Sequence, residues 1–223
     1  MALELQTGRC VGDEPPGWDT GMMRLGISVE GATEREFVSR LLRPHLARFG
    51  LIVTAVDLRG NVSLDKIRGV LPALLGGFDH VSTLYDFYGF KGRADRDIDQ
   101  LEVAIGELID PQRRARLTPY VQRYEFEALL FAVPQQAVEW LQGSDSQLAA
   151  MRDAVKRSGS PEMVNDGFET SPSHRMRKLF AGYDKKLHGP EIVERAGLEA
   201  IRKECLRFDI WVAQLEGLGN HSA

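Results

Sequence analysis

The sequence predicts an α/β protein in which a mostly parallel, four-stranded sheet is flanked by helices and followed by a helical C-terminal extension. Short apolar runs alternate four times with segments of helical periodicity, an order typical of parallel sheets. After Gly143 only helical patterns follow. The 223 residues, of which 43% are hydrophobic and 27% charged, suffice to bury a core in one sizeable domain.

The strands are predicted from runs that are rich in apolar, β-branched and aromatic residues. The first run is followed by a helix that we expect to begin with a capping box between Thr33 and Glu36 and to end at Gly50. Pro72 should kink or shorten the next helix. The predicted strands are residues 25–29, 51–56, 81–85 and 119–124. The predicted helices are residues 33–49, 63–75, 95–109, 128–141, 145–157, 172–181, 190–196, 198–204 and 208–217.

The chain is expected to divide into four segments. Residues 1–21 lack periodicity and indicate a flexible leader. Residues 22–143 form the α/β domain, and residues 144–218 form the helical extension, which we expect to pack on that domain because no long linker separates them. Residues 219–223 are a short tail.

Composition limits the classes of function. The net charge of −4 and pI of about 5.8 exclude a polycation, so nucleic acid must be bound through a local patch or a metal ion. No apolar run is long enough for a membrane span, and the N-terminus lacks a secretory signal. The two cysteines support neither a disulfide framework nor a zinc site, so a cytoplasmic location is expected.

Acidic residues follow the ends of the predicted strands: Glu30, Asp57, Asp86, Glu125 and Glu127. The carboxyl ends of parallel strands meet at one edge, where ligands commonly bind. Carboxylates gathered there need a cation, and Mg²⁺ prefers oxygen ligands. The alternative is that these acids cap helices or are solvated, and this is the favoured interpretation of Asp57, which precedes a plain turn.

Basic residues form two candidate nucleic-acid contacts. The basic stretch from Arg175 to Lys186 could hold phosphates together with free amides at a helix start, or it could be a solvated helix face. A smaller group follows Asp86, where interleaved acids weaken the argument. The candidates are Lys91, Arg93, Arg175, Arg177, Lys178, Lys185 and Lys186.

Two motifs resemble the Toprim superfamily of primases, topoisomerases and overcoming-lysogenization-defect nucleases. Val29–Glu34 is similar to its first motif, a strand that ends in Glu followed by Gly, and Asp86–Gly89 falls where the family places paired aspartates. The chain more closely resembles a bacterial Toprim-like domain-of-unknown-function family that is often encoded beside ABC-type ATPases. The segments that carry this resemblance are Glu30–Glu34, Asp86–Gly89, Glu125–Phe131 and Asn165–Gly189.

The resemblance implies a Toprim-like fold and a nuclease that depends on Mg²⁺, with Mn²⁺ as a substitute. It implies that Glu30 acts as general acid or base and that Glu30 and Asp86 bind the metal. The substrate would be DNA or RNA, including tRNA. The biological role would be anti-phage defence or a toxin-like system that an ATPase partner controls, and a homodimer is possible.

The sequence departs from the Toprim motif at Tyr88, which replaces the second aspartate and can be only a second-shell group, because a phenol is a poor Mg²⁺ ligand. Glu125 or Glu127 could complete the shell. At a helix start their side chains diverge by about 200°, so only one can reach the metal, and Glu127 is favoured. Alternatively the site has lost its metal and the chain is a non-catalytic module that regulates an ATPase or senses nucleic acid.

Two further residues have open roles. Glu34 either complements the helix dipole or lies in the second shell of the metal. His188 precedes Gly189 in a segment similar to the family's tail motif, which makes it a minor site candidate.

Overall fold

The computed structural model describes residues 22–165 and 170–219. The predicted leader and residues 220–223 of the predicted tail lie outside the described residues. The strands are β1 Met23–Val29, β2 Leu51–Asp57, β3 His80–Asp86, β4 Leu117–Thr118 and β5 Val121–Gln122. The helices are α1 Ala32–Phe37, α2 Arg43–Ala47, α3 Leu64–Gly77, α4 Ile98–Glu107, α5 Pro134–Trp140, α6 Asp145–Ser158, α7 Pro172–Leu179, α8 Lys185–Ala196, α9 Leu198–Glu204 and α10 Leu206–Gly219.

The five strands form one parallel sheet in the order β2-β1-β3-β4, with β5 pairing β3 beyond β4. The predicted α/β fold with a parallel sheet is therefore confirmed. In the register of the sheet, Val29 is opposite Asp57 of β2 and Leu84 of β3. The carboxyl ends of these three strands consequently meet at the same edge.

The predicted fourth strand is wrong in detail, because β4 and β5 are two short strands separated by Pro119 and Tyr120. Proline cannot donate to a sheet ladder. Tyr120 is held by a side chain instead: its amide donates to Thr83 Oγ1 at 2.8 Å, and that hydroxyl donates to the Tyr120 carbonyl at 2.9 Å. This arrangement lets the chain follow β3 to its end without a continuous ladder.

The first predicted helix is a continuous helical segment with a π-helical turn, Val38–Leu42, between α1 and α2. Its predicted capping box is wrong. The amide of Gly31 donates to Glu34 Oε2 at 3.1 Å, whereas Glu36 pairs with Arg40. The helix begins earlier than predicted, directly after Glu30, so Glu34 occupies the position that reaches back to its N-cap.

The predicted helix over residues 128–141 is also corrected, since a 3₁₀ helix, Phe126–Ala132, precedes α5. The expected kink at Pro72 does not shorten α3, which runs from Leu64 to Gly77. In the C-terminal part, α8 starts at Lys185 rather than at residue 190. Asp184 caps it by accepting hydrogen bonds from the amides of Lys186 and Leu187.

The sheet is covered on both faces. One buried cluster joins β1, α1 and the helices after Gly143, and a second joins β3 with α3 and α4. Phe37 of α1 lies 5.9 Å from the Phe208 ring of α10, and Trp211 Nε1 donates to Ser82 Oγ of β3 at 2.9 Å. These contacts pack α10 against α1 and β3. In the described part of the chain, no helix is long and apolar enough to cross a membrane.

Candidate active site at the carboxyl edge of the sheet

Glu30 and Asp86 stand at the ends of the two neighbouring central strands. Asp86 is the last residue of β3 and is 4% exposed, and Glu30 directly follows β1. The Glu30 carboxylate packs against Gly89, where an added Cβ would lie 2.2 Å from Glu30 Oε2. The glycine of the Asp86–Gly89 motif is therefore the residue that makes room for Glu30.

Lys185 links Asp86 to a third carboxylate. Its Nζ lies 2.9 Å from Asp86 Oδ2 and 3.3 Å from Glu127 Oε2. Glu127 is fully buried in the 3₁₀ helix that follows β5, and the Tyr183 hydroxyl lies 3.5 Å from its Oε1. The ammonium group thus compensates two buried charges, which would be strongly unfavourable without a partner.

The carboxylate of Glu34 lies above the same edge. It is 3% exposed and is held by the Gly31 amide. The charges of Asp86, Lys185 and Glu30 all act on it, so it belongs electrostatically to the same group of side chains. We call Glu30, Glu34, Asp86 and Glu127 the carboxylate cluster. With Lys185 counted, the fully ionised cluster has an excess of three negative charges.

Burial, together with this excess of negative charge, raises the pKa values of the cluster. Burial raises the pKa of Glu30 to about 7, and the negative charge of Asp86 adds to the effect. Burial raises the pKa of Glu34 to about 8 and that of Glu127 to about 7, and in both the charge of Asp86 contributes. Burial also raises the pKa of Asp86, against the opposing effect of Lys185. The cluster is therefore partly protonated near neutral pH.

Glu125 and Tyr88 have other partners. Glu125 accepts hydrogen bonds from the Ser173 amide at 2.8 Å and from the Ser173 hydroxyl at 2.9 Å, which anchors the start of α7. The Tyr88 hydroxyl accepts a hydrogen bond from the side-chain amide of Asn165. Glu125 and Glu127 were both considered as further metal ligands, and of the two only Glu127 contacts Lys185.

A cleft of about 710 Å³ opens beside the cluster. Its lining includes Glu30 and Glu34, and the exposed side chains of Arg59, Arg177 and Lys186 stand around it. Arg177 and Lys186 were predicted nucleic-acid contacts, whereas Arg59 was missed. The available signal was the turn that follows Asp57 at the end of β2, in which the Arg59 amide donates a hydrogen bond to Asp57.

The other predicted nucleic-acid contacts and His188 do not line this cleft, apart from Lys185. The Lys91 amide donates to the Val62 carbonyl, and Arg93 lies over the Phe87 ring. Arg175 donates to the Thr170 carbonyl at 2.7 Å. Lys178 lines a separate pocket of about 290 Å³. His188 Nδ1 accepts a hydrogen bond from the Asp184 amide within the first turn of α8, so it supports the helix start.

The donor chemistry of this edge fits a magnesium ion that is bound by few protein ligands. Glu30 Oε2 and Asp86 Oδ1 are buried oxygens without a hydrogen-bond partner among the described residues. No group of three or more acidic, His or Cys side chains in residues 22–165 and 170–219 is arranged to hold a metal. Mg²⁺ does not require such a cage, because it is often held by one or two carboxylates and substrate phosphates.

The fold and this edge define a class of protein: a parallel α/β protein with a buried carboxylate cluster and a lysine at the carboxyl ends of its central strands. The chain belongs to the family described as "Domain of unknown function (DUF4276)", which matches residues 29–216. No protein of curated function matches the chain.

Two solved structures are similar to it. The C-terminal region of the Burkholderia pseudomallei OLD protein is 17% identical, with a TM-score of 0.52 over 89% of this chain and 99% of that chain. The C-terminal region of the Xanthomonas campestris pv. campestris OLD protein is 14% identical, with a TM-score of 0.35 over 88% of this chain and 98% of that chain. The first likeness supports a shared fold.

Proposed function

We propose that the chain is a Toprim-type nuclease that depends on Mg²⁺ and hydrolyses phosphodiester bonds in DNA or RNA, with tRNA among the RNA substrates. The observation that carries the proposal is the pair of buried, unpartnered oxygens on Glu30 and Asp86, which stand at adjacent strand ends beside an open cleft. The Toprim motifs of the sequence and the fold shared with the OLD region add support.

Glu30 and Asp86 would hold the metal. Glu127 and Glu34 would lie near the metal without binding it. Bound Mg²⁺, for which Mn²⁺ can substitute, would offset the negative charge that develops on the phosphate. Glu127 already pairs with Lys185, which fixes the position of the ammonium group. Glu34 is committed to the Gly31 amide and so orients the turn that carries Glu30.

Glu30 would also transfer a proton. A general acid or base works best when its pKa is near the working pH. Burial and the charge of Asp86 raise the pKa of Glu30 to about 7, so both protonation states are populated at neutral pH. In its ionised form, the Glu30 carboxylate would accept a proton from the attacking water.

Lys185 would neutralise the phosphate from the other side. Its side chain is 29% exposed and borders the cleft, although its ammonium group also pairs with Asp86 and Glu127. Arg59, Arg177 and Lys186 would contact neighbouring phosphates along that cleft. Their positive charges offset the repulsion between the acidic edge and a polyanion.

The test compares purified Glu30→Gln and Asp86→Asn with a matched control, Glu36→Gln, which changes an acid on the outer side of α1. We expect wild type and the control to cleave single-stranded or duplex DNA, RNA or tRNA only with Mg²⁺ or Mn²⁺. The two site variants should lose cleavage and the heat of Mg²⁺ binding in calorimetry while keeping their circular dichroism. Full cleavage by Glu30→Gln would remove Glu30 from the mechanism.

A second candidate is a non-catalytic module that docks on an ABC-type ATPase or senses nucleic acid. The observation that favours it is Tyr88, which replaces an expected acid and whose hydroxyl is bonded to Asn165. A module of this kind would give no site-specific heat with Mg²⁺ or Mn²⁺ and would bind nucleic acid without cleaving it.

In either case we propose an ABC-type ATPase as the partner, a role in anti-phage defence or a toxin-like system, and a homodimer as the assembly to test. Copurification of the chain with an ATPase encoded beside it, followed by sedimentation, would examine the partner and the assembly together.

A further inference from the structure

Three aromatic side chains form a cluster beside the carboxylate edge that the proposed chemistry does not use. Phe87 and Tyr88 directly follow Asp86, and Tyr124 follows β5. The Tyr88 ring lies 5.3 Å from the Tyr124 ring and 6.0 Å from the Phe87 ring. All three residues are half-buried, so each is partly accessible to solvent.

The backbone of Tyr124 is unusual. Its φ of 63° lies in the left-handed region, which Gly, Asn and Asp adopt far more readily than aromatic residues. The turn itself therefore favours a small residue, and the backbone gives no reason for a tyrosine. The Tyr124 carbonyl accepts a hydrogen bond from the Tyr88 amide at 2.9 Å, which fixes the two residues relative to each other.

The ring of Tyr88 is also fixed. Its hydroxyl accepts a hydrogen bond from Asn165, so the ring cannot turn freely. Arg93 lies 4.6 Å from the centre of the Phe87 ring and 5.8 Å from that of Tyr88. The cluster consequently combines oriented aromatic surfaces with a guanidinium group, which is the combination that binds single-stranded nucleic acid.

We infer that Tyr88 and Tyr124 form a stacking surface for an unpaired nucleobase, with Arg93 placed to contact the adjoining phosphate. This inference rests on the proposed function and specifies its substrate class, a nucleic acid that is single-stranded or unpaired at the cleavage site. Bases within a duplex are stacked on both faces, so a protein ring can stack only on a base that has left its stack.

The location agrees with this substrate. Tyr88 follows Asp86 by two residues, which span at most about 7.2 Å. The next residue, Gly89, packs against the Glu30 carboxylate. A base on the tyrosines would therefore belong to a nucleotide at, or next to, the phosphate that reaches Glu30 and Asp86. Arg93 lies closer to the Phe87 ring, at 4.6 Å, than to the Tyr88 ring, at 5.8 Å, so we assign the stacking surface to Tyr88 and Tyr124.

The test measures binding without cleavage, in EDTA, with the full chain. The probes are a single-stranded oligonucleotide that contains one 2-aminopurine, the same strand in a blunt duplex, and RNA versions of both. We expect 2-aminopurine fluorescence to be quenched in the single strand and the duplex to bind more weakly. Tyr124→Leu and Tyr88→Leu should each weaken binding of the single strand about 5- to 150-fold, as expected for the loss of one stacked base.

Two controls separate stacking from folding. Tyr124→Phe keeps the ring and should bind within about twofold of wild type. Trp140→Leu removes a remote aromatic residue that lies under Arg195 and should leave the affinity unchanged. If either leucine variant fails to fold by circular dichroism, the other carries the test.

The inference is overturned if folded leucine variants bind the single strand as tightly as wild type, or if the duplex binds equally well without quenching. This failure differs from failure of the proposed function. A protein that quenches 2-aminopurine but never cleaves with Mg²⁺ would keep the stacking surface and lose the nuclease. A protein that cleaves duplex and single strands equally, with no effect of either leucine variant, would be a nuclease without the stacking surface.

Discussion

Replacing Lys185 by methionine should destabilise the protein strongly at pH 7.5 and only weakly at pH 5. Lys185 lies 2.9 Å from Asp86 and 3.3 Å from Glu127, which are 4% and 0% exposed. Methionine fills most of the volume but leaves two buried carboxylates without their cation. Breaking a buried ion pair in this way costs about 3–5 kcal/mol, a large part of a typical free energy of unfolding.

The destabilisation depends on pH because the carboxylate cluster takes up protons as the pH falls. Burial raises the pKa of Glu127 to about 7, so at pH 5 this carboxyl is protonated and no longer needs Lys185. The assay is urea unfolding in EDTA, in which a loss of about 3–5 kcal/mol moves the midpoint by about 1–2 M at an m-value near 3 kcal/mol/M. The matched control is Lys186→Met, which removes the same charge from an exposed neighbour.

The reasoning would be refuted by a loss below about 1 kcal/mol at pH 7.5, or by equal losses at the two pH values. Either result would mean that the carboxylates find another partner or are already neutral in the wild type.

Two further predictions concern the same edge. Wild-type stability in EDTA should fall by at least about 3 kcal/mol between pH 4.5 and about 8. Glu30, Glu34 and Glu127, with folded pKa values of about 7, 8 and 7 against an ordinary 4.5, bind protons more tightly in the folded chain and must lose them as the pH rises. Urea midpoints across this pH range measure the fall in stability, which Mg²⁺ should reduce. A rise in stability with pH would contradict the prediction. Gly89→Ala should lower stability by about 1–3 kcal/mol and abolish the Mg²⁺ heat, since its Cβ would lie 2.2 Å from Glu30 Oε2. Gly69→Ala, in α3 with open space around the new Cβ, is the control, and an unchanged Mg²⁺ heat in Gly89→Ala would count against Glu30 as a ligand.

The parallel sheet could be predicted because its strands are short apolar runs that end at acids or turn residues. The register then places Glu30 and Asp86 at one edge, which follows from β1 and β3 being neighbours. The broken fourth strand was harder to predict. Pro119 signals an interruption, but the hydrogen bonds between Thr83 and Tyr120 that bridge it join residues 37 positions apart.

The position of Lys185 could not be predicted from local patterns. It meets Asp86 across 99 residues of sequence, and only tertiary packing of α8 on the sheet brings them together. A local signal did exist, since Asp184 is a good N-cap, but Gly189 and Pro190 suggested a later helix start. Glu34 was misjudged for a similar reason: Thr33 is the better capping residue by type, yet the helix begins directly after Glu30 and uses Gly31.

The electrostatics of the edge connect its stability with its proposed chemistry. Four carboxylates face one lysine, so the cluster must remain partly protonated or gain a cation. Protonation neutralises part of the cluster below neutral pH, and under the proposed function a divalent ion would neutralise it when a phosphate substrate binds. Lys185 keeps Asp86 and Glu127 ordered in both conditions, which leaves Glu30 and the free oxygen of Asp86 to respond to the metal. A buried edge that is only partly neutralised by its own lysine is thus stable enough to fold, and under the proposed function its remaining negative charge would attract an added cation.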